Sequence, residues 1–292
     1  MTTVGHRIPP WSVPMFFIVG AVSQYVGAAV GVFLFETANP AAVAWLRAAA
    51  AAVALIVWRR PWRRTWTRRS LAAAAAFGVV TVGMNVAFFE AIARIPLGTA
   101  VAIEFLGPVA VATLGSRRPR DLLAALLVAA GIALLTGVHT GIDLAGVGFA
   151  LIAAALWAGY ILLGKRVADA GSGLDSLAVG MAAAAVLLAP ALLTGQFIED
   201  ASVLADSRVW LLGVAVGVLS TAVPYALDQL VLTAIGRARF ALLLALLPVT
   251  AAFVGAVMLG QRPTFAETAG IALVVAALAI SVRGDTVRPP EN

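Results

Sequence analysis

Between Arg94 and Arg117 the chain carries one charged residue, Glu104, inside a run from Pro96 to Leu114 that is otherwise almost wholly apolar. A run of this length crosses the hydrocarbon core of a bilayer, about 30 Å thick, when it is helical. It has little alternative, because backbone polar groups in lipid must find their partners within the chain. A carboxylate at that depth costs at least a few kcal/mol on insertion scales, which ordinary packing does not require. Pro108 adds to the constraint. It has no N–H to give the carbonyl four residues earlier, and that carbonyl belongs to Glu104. One level of the helix therefore offers a carboxylate and a free carbonyl, an arrangement tolerated only against protein or a wet cavity.

The rest of the chain repeats the pattern without the carboxylate. Of 292 residues 62% are hydrophobic and 12% charged, about half the charge of a soluble domain, so the chain reads as an all-α polytopic membrane protein with no separate soluble domain. There is no cysteine, which excludes disulfides, thiolate metal sites and cysteine nucleophiles, and the two histidines, His6 and His139, fall outside the expected spans. No metal cluster, catalytic triad or Walker loop can be assembled, so neither a cofactor nor an enzymatic activity is expected. The stretch from Pro14 to Phe35 is too long for a signal-peptide core and lacks a cleavage site with polar sequence after it.

At about 20 residues per spanning helix, ten segments emerge: 14–35, 39–58, 71–93, 96–114, 121–138, 144–167, 174–194, 208–232, 239–259 and 264–283. With both termini cytoplasmic, Arg94, Arg208 and Arg262 fall in outward loops and Arg47 lies within a span. Every other member of the 20 basic residues falls on the inward side. That asymmetry is the positive-inside signal. It also accounts for the net charge of +6 through lipid head groups, without a nucleic-acid partner. Trp58, Trp62 and Trp66 beside the arginine run read as an interfacial anchor.

A shift of 140 residues aligns Ile95 with Ile235, Pro108 with Pro248, Val109 with Val249 and Ala112 with Ala252. Residues 1–138 and 139–292 are thus expected to be two five-helix repeats. Five spans per half is an odd number, so the halves must lie inverted, as in many secondary transporters.

The segments IPLGTAVAIEFLGPVAVA, WLRAAAAAVALIVWRRPWRR and LGQRPTFAETAGIALVVAAL resemble the EamA family of the drug/metabolite transporter superfamily, and within it the inner-membrane threonine/homoserine exporters. The likeness runs over essentially the whole chain. It implies ten helices in two EamA repeats and secondary export of small metabolites in a bacterial inner membrane. It carries no assignment of binding residues.

Depth supplies those. At ~1.5 Å per residue, Arg47, Asn85 and Glu104 each lie about 12 Å below the outer helix ends, and Gln24, Ser220 and Thr221 reach a similar level. Pro224 frees the carbonyl of Ser220 as Pro108 frees that of Glu104. The expected site takes a zwitterion: Arg47 pairs with a carboxylate through its planar fork, and Glu104 accepts an ammonium or exchanges a proton. Asn85, Gln24 and Ser220 complete the hydrogen bonds. The bland alternative is a permanent Arg47–Glu104 ion pair that only fixes helices. Asp228 reads equally as a cytoplasmic gate or proton acceptor, or as an interfacial aspartate capped by Arg237 or Arg239. Glu90 and Arg94 read as an i,i+4 pair, and Trp157 and Tyr160 as packing, with cavity lining as the alternative. Pro108, Pro224 and Pro248 are the expected kinks. Leu244 stands where the repeat would put a second Glu104, so the site is expected to be asymmetric.

The expectation is a secondary exporter of amino acids such as threonine and homoserine, coupled to H+. The alternatives are an exporter of another metabolite or drug and a non-transporting membrane scaffold. Oligomeric state is open, since the GxxxG spacings Gly27/Gly31 and Gly213/Gly217 serve contacts within or between subunits alike.

Overall fold

The structure is a computed structural model and describes residues 12–113, 119–137, 143–169, 173–225, 227, 228, 231 and 243–283. All regular structure among them is helical: α1 (Val13–Leu34), α2 (Pro40–Arg59), α3 (Arg68–Ile92), α4 (Leu97–Glu104), α5 (Leu106–Thr113), α6 (Pro119–Gly137), α7 (Leu144–Asp169), α8 (Gly173–Asp200), α9 (Ser207–Gly217), α10 (Leu247–Met258) and α11 (Phe265–Arg283). Among the described residues six helical stretches are long and apolar enough to cross a membrane, beginning at Val13, Pro40, Arg68, Leu144, Gly173 and Ser207. Four further apolar helical stretches among them are shorter: Leu97–Val111, Leu122–Leu135, Leu247–Met258 and Phe265–Ile280.

Local chemistry sets the helix starts. Asn39 accepts the Ala42 N–H at 2.8 Å, with Pro40 in the first turn, and this begins α2. The Thr67 and Ser70 side chains satisfy each other's backbone N–H groups and carry α3 back to Arg68, three residues before the expected start. Asp206 accepts from Arg208 at the start of α9. Helix α8 continues past its expected end at 194 to Asp200. Buried Gln196 holds that extra length, accepting the Asn39 N–H at 2.8 Å and donating to the Asp200 carbonyl at 3.1 Å.

The expected single helix over 96–114 is broken. α4 ends at Glu104, Phe105 forms a turn, and α5 begins at Leu106. The cause is Pro108, whose ring excludes the carbonyl of residue 104 from the straight ladder. The segment before Pro248 breaks in the same way, with turns at Ala245 and Leu246 before α10. The eighth expected span is interrupted differently, since after Gly217 the backbone takes one π-helical turn over Val218–Ala222.

Between helices in lipid there is little hydrophobic driving force, so close crossings rely on small residues. Gly78 meets the Gly180 backbone where α3 crosses α8, and a Cβ there would sit 1.9 Å from the Gly180 carbonyl oxygen. Gly131 of α6 and Gly270 of α11 approach reciprocally, each Cβ position 2.9 Å from the other's carbonyl oxygen. The two GxxxG spacings serve contacts within the chain. Gly27 and Gly31 of α1 pack on Ser220 and Phe89, and Gly213 and Gly217 of α9 pack on Leu46 and the Arg47 carbonyl.

Candidate functional site

The π turn builds the centre of the molecule. It sends the Val223 N–H to the Val218 carbonyl, so the Leu219 carbonyl lacks its usual α-helical donor. Pro224 has no N–H for the carbonyl of Ser220. Neighbouring helices supply both. Ser23 of α1 donates its hydroxyl to the Leu219 carbonyl at 2.8 Å, and Arg47 of α2 donates from Nη2 to the Ser220 carbonyl at 3.2 Å. Arg47 Nε also donates to Thr221 Oγ1 at 3.4 Å. Glycines permit the approach: a Cβ on Gly27 would lie 2.7 Å from Ser220 N, and one on Gly217 would lie 2.8 Å from the Arg47 carbonyl oxygen.

A cavity of about 340 Å³ opens beside this turn. Its polar wall carries Gln24, Arg47, Thr81, Asn85, Ser220, Thr221 and Asp228, and Pro108 and Pro224 also line it. Trp157, Tyr160, Met84, Met181, Leu244 and Leu247 form an apolar wall. The structure thus brings Gln24, Arg47, Asn85, Ser220 and Asp228 together around one space. Glu104 and Pro248 do not line it. Glu104 is buried at the α4–α5 break, 9% exposed, and the next residue, Phe105, packs edge-on against Trp157 with ring centroids 4.7 Å apart. Pro248 opens α10 just behind Leu247.

Arg47 is 9% exposed and its guanidinium lies over the Phe89 ring, 5.4 Å from the centroid. Its two hydrogen bonds occupy Nε and Nη2, out of five N–H donors on a guanidinium. Arg47 and Glu104 make no close ion pair, although each lies within the other's electrostatic field. Among the described residues no carboxylate lies within ion-pair distance of Arg47, and the ion pairs are Arg59–Asp175 at 3.0 Å and Arg94–Glu90 at 2.5 Å. The second of these is the expected i,i+4 pair. Asn85, 5% exposed, and Glu104 have no hydrogen-bond partner among the described residues. Arg237 and Arg239, the alternative caps for Asp228, lie outside the described residues.

Several residues at the site were not singled out in the sequence. Ser23 adjoins Gln24 on an apolar span, a signal of the same kind. Tyr225 follows Pro224, and its hydroxyl lies 3.2 Å from that of Tyr160 across the cavity. Tyr160 also stacks on Phe77 at 5.0 Å, so it both packs and lines. The widened turn itself leaves no trace in the sequence beyond Pro224.

Helices of membrane length packed around a buried, partly polar cavity define a polytopic helical membrane protein. The profile of the EamA-like transporter family matches residues 144–283. The chain is 35% identical over 277 residues to the threonine/homoserine exporter RhtA of Escherichia coli strain K12, covering 93% of this chain and 92% of that one. It is 34% identical over the same length to RhtA of Salmonella typhimurium strain SL1344. A solved crystal structure matches with a TM-score of 0.58 at 19% identity, covering 92% of this chain and 94% of that one, a likeness of fold alone. The chain belongs to the EamA-like transporter family.

Proposed function

We propose that this chain is a secondary exporter of small zwitterionic metabolites, with threonine and homoserine as its substrates, in the bacterial cytoplasmic membrane. The substrate assignment rests on the RhtA exporters, which align over nearly the whole chain. The observation that carries the reading is Arg47: a buried guanidinium on a cavity wall, with no carboxylate at ion-pair distance among the described residues and part of its fork uncommitted. A charge so placed is costly unless something pairs with it, and a substrate carboxylate is the fitting partner. Asn85 offers an amide on the same wall, and Ser220 and Gln24 add further polar groups. Asp228 stands toward the cytoplasmic end, where it receives the substrate ammonium on entry.

In this reading ten spans form two inverted five-helix repeats, residues 1–138 and 139–292, with both termini cytoplasmic. The paired breaks before Pro108 and Pro248 support the duplication, because they fall three residues before prolines related by the 140-residue shift. Alternating access then proceeds by rocking one repeat against the other around the cavity. Glu104, off the cavity wall at the α4–α5 break, exchanges the coupling proton as that break flexes. No ATP is needed.

The apolar wall of Met84, Trp157, Met181, Leu244 and Leu247 favours a second reading, in which the exporter also takes bulkier amphipathic metabolites. Proteoliposomes preloaded with labelled threonine or homoserine, with and without an imposed pH gradient, test the proposal. Gradient-stimulated efflux is expected. No flux of either compound under any gradient sinks the substrate assignment, and flux of bulkier solutes alone supports the second reading.

A further inference from the structure

The outward loop LGQRPT plays no part in the cavity, yet its side chains converge on one short helix. All eight residues of α4, Leu97–Glu104, are buried. Its first turn has no side-chain cap of its own, because Pro96 stands at the N-cap position. Gln261 supplies one from across the fold: its Oε1 accepts the Leu97 N–H at 3.0 Å. Gly255 leaves the room for this, since a Cβ there would lie 2.5 Å from that oxygen. Two residues on, Thr99 donates its hydroxyl to Glu267 Oε1 at 3.3 Å. The other carboxylate oxygen, Oε2, is held by the Thr264 N–H at 2.7 Å and the Thr264 hydroxyl at 3.1 Å, which orients Glu267 toward α4. A small cavity of about 130 Å³, lined by Thr99, Gln261, Arg262 and Glu267, adjoins these contacts.

The opposite end of α4 is the break at Phe105, next to Pro108 on the central cavity. One flank lies against α10, where a Cβ on Gly98 would be 2.8 Å from Ala252. A short buried helix is thus packed through glycine on one side and hinged at a proline break beneath. At its top it is held by two side-chain hydrogen bonds, from Leu97 N–H to Gln261 and from Thr99 to Glu267, each a modest and breakable hold. That combination suits an element that moves between two positions, as hinges at element ends do.

We infer that α4 is the outer gate of the transport path, and that Gln261, Thr99 and Glu267 are the latch that holds it shut. The inference rests on the alternating-access reading and orientation given above. Gln261 and Glu267 are positioning residues: they touch the gate and need not touch the substrate.

The absence of native cysteine makes the test direct. A Met84→Cys probe places one thiol on the central cavity, and its modification by a membrane-impermeant maleimide is timed from each side in right-side-out and inside-out vesicles. Gln261→Ala, Thr99→Val and the near-isosteric Glu267→Gln are each added to the probe. Each latch variant is expected to label about threefold to tenfold faster from outside, the factor that one lost hydrogen bond carries, and more slowly from inside. Such reciprocity is the mark of a shifted population. Rates unchanged from both sides, raised from both sides, or shifted in the opposite sense overturn the latch. Threonine efflux by the wild-type chain in the same vesicles separates the two readings: flux with unshifted labelling removes only the latch, and absent flux removes the exporter reading beneath it.

Discussion

Arg47 Nη2 lies 3.2 Å from the carbonyl oxygen of Ser220, the acceptor to which Pro224 has no N–H to give. A proline on one helix thereby sets where an arginine on another points. The bond parks the guanidinium at the cavity wall without neutralising it, because a carbonyl is a dipole and carries no net charge. It can be exchanged for a carboxylate without leaving the uncompensated buried charge that breaking a buried ion pair would leave. The Phe89 face beneath the guanidinium keeps its plane fixed during that exchange.

Arg47→Lys is expected to reduce export about tenfold to a hundredfold at normal expression, since a point charge replaces a two-pronged donor. Initial efflux rates normalised to membrane-inserted protein provide the check. Rates equal to wild type would remove Arg47 from substrate binding.

Glu104→Gln keeps shape and removes the titrating group. The account expects efflux driven by a pH gradient to fall to the level seen without one, while equilibrium exchange of labelled for unlabelled threonine persists. Loss of both activities together would point to a structural role at the α4–α5 break.

The expected cost of Gly27→Leu is large. Even a Cβ there would lie 2.7 Å from Ser220 N and 2.8 Å from Ser220 Cβ, so α1 must withdraw from the π turn at about 1–3 kcal/mol. Thermal unfolding in detergent should show a lowered Tm and reduced export. Gly148→Ala, where a Cβ meets nothing within 4 Å, is the control expected to leave both unchanged.

Ser23→Ala leaves the Leu219 carbonyl without the donor it now has at 2.8 Å. This bond is part-buried, so the acceptor stripped of its partner costs about 1 kcal/mol, the low end of the range for a buried one. Ser23→Thr retains the hydroxyl and is expected to recover most of the loss in the same unfolding measurement.

Much of this architecture is legible in hydropathy, because lipid forces each long apolar run to be helical. Depth counted along those runs put Gln24, Arg47, Asn85 and Ser220 at one level, and they do share a cavity. Depth says nothing about rotation, however. That is why counting along the chain could not tell that Glu104, buried at the α4–α5 break, is not among the residues lining this cavity. The breaks at Phe105 and Ala245 follow from proline. The π turn at Val218–Ala222 does not, since it arises only when α1 and α2 bring Ser23 and Arg47 to the carbonyls it frees. The partner of Gln261 was equally hidden, because a loop glutamine capping a helix 164 residues away is a tertiary fact.

The central claim is that Arg47 receives a substrate carboxylate, and competition by a carboxylate-free analogue tests it most directly. Efflux of labelled threonine from proteoliposomes is measured against rising concentrations of unlabelled threonine or of threoninol, which keeps the amine and the hydroxyethyl side chain but carries a hydroxymethyl group in place of the carboxylate. The account predicts that threonine competes and threoninol does not, and that Arg47→Lys narrows the difference between them. Equal competition by the two compounds in the wild-type protein would contradict it.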